Sequence, residues 1–207
     1  MATTTSLSIA PILSPAAPAT SGTRRDAVLR AALELFAERT YGAAPVPEIA
    51  ARAQVGAGTV YRHFQSKEAL ANVVYRRCKG AMDDALRLAM ESSGSVQERF
   101  LGLWMGLAAM AREDSTAMRF LELQHHNEYL DEESRGVSDA VFARAEKFMR
   151  EGQESGAMRS GDPAIIISLV FGAFVGLFKE SCAGRLAWEN PELLDAGQRV
   201  WRMIASS

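Results

Sequence analysis

Apolar residues recur at helical spacing along nearly the whole chain, and segments that alternate between apolar and polar residues, as β-strands do, are almost missing. In residues 24–39, for example, Val28, Leu35 and Phe36 share one face with two alanines, and Glu34 lies off that face. Because apolar residues make up 48% of the sequence, the chain can bury a sizeable core. The sequence therefore predicts an all-α fold.

Capping and turn residues divide this pattern into about nine helices. Asp162-Pro163 and Asn190-Pro191 stand at predicted helix starts, and residues 92–95 (SSGS) are a predicted break. The predicted helices cover residues 24–39, 47–53, 57–64, 66–91, 96–112, 115–128, 131–156, 162–182 and 190–205.

The first 22 residues are rich in Ala, Thr, Ser and Pro and carry no charged side chain. A secretory signal would begin with positive charge and continue with an unbroken apolar centre, whereas Pro11, Pro15 and Pro18 interrupt this segment. We expect residues 1–22 to form a flexible tail.

Cysteine usage and the longest apolar run both bear on the location of the protein. Cys78 and Cys182 follow neither a CxxC nor a zinc-ligand spacing, which is typical of a protein kept in a reducing cytoplasm. The longest apolar run, residues 164–178, is shorter than the ~20 residues that cross a membrane, and Lys179-Glu180 follow it. We therefore expect a cytoplasmic protein with no membrane partner.

Charge is unevenly distributed along the chain. Residues 24–79 contain ten Lys or Arg and five Asp or Glu, a net charge of +5, whereas residues 80–207 contain thirteen and twenty, a net charge of −7. The two add to the formal charge of −2. A basic N-terminal third indicates that this part of the chain meets a polyanion.

Two short predicted helices are separated by a break of a few residues, and the second lies in the stretch GAGTVYRHFQSKEAL, which begins at Gly56. This order is typical of a helix-turn-helix, whose second helix enters the major groove of DNA. Gly56 and Gly58 remove side chains where the backbone must approach the groove, and Arg62 can reach phosphates or base edges. Val60 and Phe64 lie four residues apart, so they can share a face that anchors the helix.

The residues from Arg24 to Leu70 resemble the DNA-binding domain of the TetR family of transcriptional regulators. The matching runs are AALELFAERTYG, IAARAQV and GTVYRHFQSKEAL, in that order. The resemblance implies an N-terminal three-helix helix-turn-helix domain at 23–68, followed by a helical ligand-binding and dimerisation domain at 69–207. It also implies that double-stranded operator DNA is a partner.

Family positions that touch DNA can be carried over to this sequence. The resemblance implies backbone contacts by Thr59, Tyr61, His63 and Lys67, base proximity for Ala57, Gly58 and Arg62, and contacts near the adjacent phosphates or minor groove for Arg24 and Arg25. The sequence departs from the family where Thr40 replaces a common Gly, Pro45 a common capping Thr, and Gly56-Ala57 a common Ser and polar pair. Base reading is therefore expected to rely on Arg62, on DNA shape, or on both.

Several large side chains of the C-terminal helices are first of all core residues, and some of them are expected to line a cavity for a small apolar or aromatic ligand. The candidate ligand-binding residues are Trp104, Met105, Phe120, His125, Tyr129, Phe171 and Phe174. His125 and His126 are adjacent in a predicted helix, so their side chains diverge by about 100° and suit one shared metal ion poorly. We predict no metal site and no cofactor.

The last two predicted helices, 162–182 and 190–205, carry more apolar surface than a single chain readily hides. We expect them to form a homodimer interface, which would present two recognition helices to a near-palindromic operator. Gly172 and Gly176 would let helices approach closely. If the helix at 162–182 pairs the subunits, a charge at Phe174 or Val175 is expected to abolish operator binding.

These patterns favour a one-component transcriptional regulator, most simply a repressor, that responds to a ligand and is not an enzyme. Two alternatives stay open. One is a helix-turn-helix regulator controlled by a protein partner. The other is a helical metal-dependent enzyme using His125 and His126, although the chain has no recognisable nucleophile motif, phosphate loop or metal-ligand spacing.

Overall fold

The computed structural model describes residues 21–187 and 191–206. Within these ranges the backbone forms nine helices and no β-strand, which confirms the predicted all-α fold. The helices are α1 Ser21–Glu38, α2 Val46–Arg52, α3 Ala57–His63, α4 Lys67–Glu91, α5 Val96–Glu113, α6 Ser115–Leu123, α7 Glu132–Glu154, α8 Pro163–Cys182 and α9 Pro191–Ile204. Residues 1–20 of the predicted tail lie outside the described residues, and Ser21 already belongs to α1.

The predicted helix at 115–128 is wrong in its second half, because α6 ends at Leu123. Gln124 has an extended backbone, with φ −113° and ψ 154°. The His126 Nε2 atom lies 3.1 Å from the Leu121 carbonyl oxygen, one of the oxygens that a helix end leaves without an intrahelical partner. His125 and His126 therefore lie in the connection between α6 and α7 and not on a helix.

The chain divides into two compact units. We call residues 21–81 with 113–138 the head unit, and residues 82–112 with 139–187 and 191–206 the body unit. The predicted domain boundary between 68 and 69 cuts the chain once, whereas each of these units combines stretches that are separate in sequence. That predicted boundary stays a prediction.

The head unit is built around α1, which packs against α2, α3 and α6. Leu29 and Phe36 of α1 are fully buried, and the Phe36 ring stacks on Phe120 of α6 with ring centres 6.1 Å apart. Asp114 caps α6 by accepting from the Ala117 N–H at 3.2 Å. These contacts fix α1 as the support on which the two shorter helices lie.

The body unit has an aromatic core. The edge of the Trp104 ring on α5 meets Phe174 on α8 with ring centres 5.5 Å apart, and Phe100 meets Trp201 on α9 at 5.4 Å. A Cβ on Gly197 would lie 2.7 Å from Trp104 Cδ1, so a glycine is needed for α9 to approach the indole this closely. The large side chains of α5, α8 and α9 therefore pack closely against one another and form this core.

Only one stripe of α8 is buried within the chain. Pro163, Ile166, Phe174 and Phe178 form that stripe. In the described part of the chain, α8 is the one helix long and apolar enough to cross a membrane, judged by length and composition. Of its apolar 18-residue window, 17% is buried. Phe174 thus belongs to the core of its own chain, so a charge there would unfold the body unit before it tested any interface.

Candidate nucleic-acid interface

A tight turn at residues 53–56 joins α2 to α3. Gln54 has a φ of 55°, in the left-handed region that residues other than glycine enter at a cost of about 1 kcal/mol. The backbone N–H of Val55 donates to the Ala50 carbonyl oxygen at 3.0 Å and closes the turn. The two helices therefore keep a fixed relation, as a helix-turn-helix requires.

One face of α3 is anchored and the other is exposed. Val60 and Phe64 keep 2% and 4% of their accessible area, which confirms the predicted anchoring face. The Tyr61 side chain, in contrast, is 55% exposed, and Arg62 is exposed beside it. The side chains predicted to reach phosphate and base edges are therefore on the open side of the helix.

The first turn of α3 carries almost no side chain. Gly56, Ala57 and Gly58 are exposed, and Gly56 caps the helix without a side-chain hydrogen bond. A Cβ on Gly56 or Gly58 would meet no atom within 4 Å, so the fold itself does not require glycine there. The missing side chains instead let the backbone approach a groove wall closely.

Thr59 and His63, two further predicted contacts, are half-buried. The His63 and Phe64 rings pack with centres 6.4 Å apart. The His63 Nε2 atom is buried and has no hydrogen-bond partner within the described ranges. A buried polar atom without a partner is costly, and a phosphate oxygen would relieve that cost only if the ring turned to expose Nε2.

The start of α1 reaches the end of α3. The Arg25 guanidinium lies 5.2 Å from the centre of the Phe64 ring, within the range of a cation–π contact. Arg77 of α4 donates to Asp26 at 3.0 Å and holds this part of α1. Arg24 is exposed. The structure thus brings Arg25 close to the end of the recognition helix.

Lys67 is the first residue of α4 and is half-buried. Its Nζ atom lies 4.3 Å from the centre of the Tyr41 ring and donates to the Gly42 carbonyl oxygen at 3.4 Å. Burial lowers the pKa of Lys67, and the nearby carboxylates of Glu68 and Glu128 oppose that shift. Since an ammonium has three donors, two remain for a phosphate.

Positive charge in the head unit is partly neutralised and partly available. Arg52 of α2 donates two hydrogen bonds to Glu38, at 2.7 and 2.9 Å, and this pairing lowers the pKa of Glu38. Arg24 and Arg62 form no ion pair with any residue in 21–187 or 191–206. Two guanidinium groups are therefore available to a polyanion at α1 and α3.

At Pro45, where the sequence departs from the family pattern, the start of α2 lacks a side-chain cap. Pro45 caps α2 with an extended backbone and makes no side-chain cap hydrogen bond. A threonine hydroxyl at this position would supply a hydrogen bond to the first turn of the helix. The helix-turn-helix of this chain therefore has one less polar group at the start of α2.

Comparison with known proteins identifies the architecture. Residues 28–74 match the profile of the bacterial regulatory proteins of the tetR family, and residues 75–206 match the profile of the tetracyclin repressor-like C-terminal domain. The second match alone covers more than half of the chain. The chain belongs to the TetR family. This match confirms that residues 24–70 resemble the DNA-binding domain of that family.

Relatives in the TetR family match parts of the chain. The HTH-type transcriptional repressor KstR2 of Mycolicibacterium smegmatis is 31% identical over 93 residues, 45% of this chain and 45% of that protein. The fatty acid metabolism regulator protein of Bacillus subtilis is 24% identical over 148 residues, 70% of this chain and 76% of that protein. The chain thus spans about half the length of the first of these curated relatives.

The solved structure of a TetR family transcription regulator from Marinobacter aquaeolei has the same fold. Its TM-score is 0.79 at 19% sequence identity, and the superposition covers 89% of this chain and 96% of that chain. An identity this low supports the fold alone.

Members of the TetR family regulate transcription and are not enzymes, as predicted for this chain. Within the described ranges, no group of three His, Cys, Asp or Glu residues is placed to hold a metal ion. His125 is exposed and His126 is half-buried. The Nδ1 atom of His126 lies 2.5 Å from the Tyr129 hydroxyl, so its neighbours here are an aromatic hydroxyl and a backbone carbonyl.

The predicted ligand residues of this TetR-family chain fall in both units. In the body unit, Trp104 and Phe174 are buried, Phe171 stacks on Phe174 with ring centres 6.5 Å apart, and Met105 is 43% exposed. In the head unit, Phe120 and Tyr129 are buried. A ligand role for these residues stays a prediction.

Tyr41 and Asn72 were not among the predicted site residues. Tyr41 lies under the Lys67 ammonium, and Asn72 is a buried amide with hydrogen bonds to two stretches of the chain. In the sequence, Tyr41 stands only next to a glycine at a helix end. The sequence did offer a signal for Asn72, since it is a polar residue among the apolar positions of α4. A buried amide must find hydrogen-bond partners.

Proposed function

We propose that the protein is a cytoplasmic, ligand-responsive repressor that binds a two-fold symmetric operator as a homodimer. The observation that carries this proposal is the exposed face of α3, which Val60 and Phe64 anchor from behind. On this face Arg62 forms no ion pair with any residue that the structure describes. A single short recognition helix reads few base pairs. A second copy of the chain doubles the contacts and matches the symmetry of the protein to that of the site.

On the DNA, we expect four side chains of α3 and α4 to bind phosphates: Thr59, Tyr61, His63 and Lys67. Arg24 and Arg25 would add contacts from the start of α1. Ala57 and Gly58 would lie against the bases, and Arg62 would read a base edge. Because Gly56, Ala57 and Gly58 offer no polar side chain, Arg62 would supply most of the direct hydrogen-bonded reading. Preference at the other positions would come from DNA shape.

The homodimer would pair through α8 and α9. Ile165 is 61% exposed and Leu169 is 53% exposed, and Gly172 and Gly176 lie one and two turns further along the same exposed face. A regulator that must reach DNA needs an apolar partner for this face in water, and a second copy supplies one by symmetry. Of α9, Met203 is 44% exposed, while Asn190 and the side chains of Leu193 and Leu194 lie outside the described residues.

The proposed ligand is small and apolar or aromatic. The body unit offers Trp104, Phe171 and Phe174 as an aromatic lining, and the Bacillus subtilis relative carries the name of a fatty acid metabolism regulator. Such a ligand would release the operator only if it binds more tightly to the arrangement of the dimer that does not fit DNA.

Selection of bound sequences from a random duplex pool tests the DNA part of this proposal. We expect enrichment of one two-fold symmetric sequence. Enrichment of an asymmetric sequence would contradict the homodimer, and no enrichment would contradict sequence reading by α3. A thermal-shift screen with fatty acids and aromatic acids tests the ligand part, because a specific ligand raises the melting temperature. If a protein partner controls the regulator instead of a small ligand, no compound in the screen should raise the melting temperature.

A further inference from the structure

The Lys67 side chain does not extend freely into water in this structure. Its ammonium lies over the Tyr41 ring, 4.3 Å from the ring centre, and donates to the Gly42 carbonyl oxygen at 3.4 Å. Tyr41 and Gly42 belong to the connection between α1 and α2, whereas Lys67 begins α4. A lysine with a flexible four-carbon stem is thus held in one place by a residue distant in sequence.

The Tyr41 ring is itself held from other directions. Its hydroxyl donates to Glu68 Oε1 at 2.8 Å, and its ring centre lies 5.8 Å from that of Phe36. The Tyr129 ring packs on Tyr41 with centres 4.5 Å apart and planes inclined by 34°. The shortest of these ring contacts therefore comes from the 124–131 segment, the connection between α6 and α7.

Tyr129 is buried and fixed by two polar groups. Its backbone carbonyl oxygen accepts from Asn72 Nδ2 at 2.7 Å, and its hydroxyl lies 2.5 Å from His126 Nδ1. Asn72 also donates to the Glu68 carbonyl oxygen at 2.9 Å and accepts from the Asp131 N–H at 3.0 Å. The 124–131 segment is thus hydrogen-bonded to the first turns of α4, one turn from Lys67.

We propose that Tyr41 and Tyr129 are positioning residues for the DNA-phosphate contact of Lys67: Tyr129 fixes the Tyr41 ring, and the ring holds the Lys67 ammonium in its binding position. The proposal rests on the proposed function, since it assumes that Lys67 binds a phosphate. It adds that the strength of this contact depends on the 124–131 segment, through the packing of Tyr129 on Tyr41.

The physical reason is the entropy of a long side chain. A solvated lysine loses rotamer freedom when it binds a phosphate, whereas a lysine already held against a ring has lost that freedom before binding. The ring still leaves two ammonium donors for the phosphate, and its negative face favours the charged form of the amine. Removing the ring should therefore weaken DNA binding without removing the ion pair itself.

A double-mutant cycle on the selected operator tests the proposal. We expect Tyr41→Leu and Tyr129→Leu each to weaken binding by roughly 3- to 10-fold, the cost of ordering one long side chain. In a Lys67→Met chain the same two substitutions should change affinity by less than about twofold, because the residue through which they act is gone. Equal losses with and without Lys67 would overturn the proposal.

Conservative variants guard against unfolding. Tyr41→Phe keeps the ring and loses only the hydrogen bond to Glu68, and Tyr129→Phe keeps the ring contact and loses only the bond to His126. Both should retain affinity within about twofold of the original chain if the rings do the positioning. If the phenylalanine variants bind as weakly as the leucine variants, the rings are not what positions Lys67.

A spectroscopic measurement separates this proposal from the proposed function. In the DNA-free protein the Hε protons of Lys67 should be shifted upfield by the Tyr41 ring current, and Tyr41→Leu should abolish that shift. Lys67→Met should lower the salt dependence of operator binding by about one phosphate contact. If Lys67→Met leaves affinity and salt slope unchanged, the assumed phosphate contact fails. If it changes both but the cycle is additive, the contact stands and the positioning fails.

Discussion

The helices α3 and α8 both leave one face uncovered in the single chain, but the two faces differ in chemistry. The open face of α3 carries glycine, alanine, a tyrosine and an arginine, whereas that of α8 carries Ile165 and Leu169. A polyanion is held by cations and by close approach of the backbone. An apolar face is stabilised by removal from water. Exposure alone therefore does not identify the partner of a face. The chemistry of the exposed residues does.

The two helices also differ in how the chain supports them. The helix α3 has seven residues and depends on Val60 and Phe64 to hold it on the head unit. The helix α8 has twenty residues and is anchored by buried side chains near both of its ends, among them Ile166 and Phe174. A short helix on a rigid support suits the reading of a base sequence, because its side chains must keep their positions when DNA binds. A long apolar helix suits a broad surface between copies.

The substitution with the largest expected effect is Leu169→Glu on α8. A carboxylate without a partner in an apolar interface costs several kcal/mol, so we expect dimerisation to weaken by at least about 100-fold and operator binding to fail. Phe142→Glu on α7 is the matched control, because Phe142 is an apolar side chain of similar exposure, at 43%. Sedimentation and operator titration give the readouts. Dimerisation retained by Leu169→Glu, or lost equally in the control, would contradict the assignment of α8.

A smaller effect is expected from Arg62→Ala on α3. If Arg62 reads a guanine through two hydrogen bonds, its loss should remove about 1–3 kcal/mol of discrimination at one base pair of each half-site. Competition between the selected operator and a duplex changed at that pair measures this difference. A uniform loss of affinity for all sequences would reassign Arg62 to a phosphate.

The glycines of α8 test whether two copies of this helix approach each other closely. A Cβ on Gly172 would meet no atom within 4 Å in the single chain, so Gly172→Ala should leave the fold intact and add about 1 kcal/mol of helix propensity. If two α8 helices approach each other at this point, the added methyl should weaken the dimer several-fold. Gly136→Ala on α7 also meets no atom within 4 Å and serves as the control. A dimer unchanged by Gly172→Ala would exclude close approach there.

Acid is expected to affect the head unit and to leave the pairing of α8 unchanged. Burial lowers the pKa of His126 below its ordinary value of about 6.5, so the folded chain favours the neutral ring. The unfolded chain therefore binds more protons below about pH 6.5, and stability should fall as the pH drops through the lowered pKa. Melting temperatures between about pH 7.5 and 5 should show this decrease, and His126→Gln should flatten it. An unchanged pH profile in His126→Gln would contradict this role.

The sequence was most informative where local chemistry decides the structure. The order of runs from Arg24 to Leu70 predicted the helix-turn-helix, and the spacing of Val60 and Phe64 predicted how α3 is anchored. The Asp162-Pro163 pair predicted the start of α8, where Asp162 accepts from the Ala164 N–H at 2.8 Å. In each case the signal lies within a few residues of the structure that it determines.

Long-range contacts decided what the sequence could not predict. The run LELQHHNEYL is compatible with a helix, yet α6 ends at Leu123. Beyond that end His126 contacts Tyr129 and the Leu121 carbonyl oxygen, and Asn72 donates to the Tyr129 carbonyl oxygen. The contact between Tyr41 and Lys67 joins residues that no spacing rule relates. The helix α8 is apolar almost all round, so its sequence could not indicate that Phe174 faces inward while Leu169 faces outward.

The central claim is that two copies of the chain bind one operator through α3. The most direct measurement is the affinity of the purified protein for the selected operator and for its isolated half-site, titrated over a range of salt concentrations. We predict two chains per full site, much weaker binding to the half-site, and a logarithm of affinity that falls linearly and steeply with the logarithm of salt concentration. One chain per operator, equal affinity for the half-site, or binding that does not respond to salt would contradict the account.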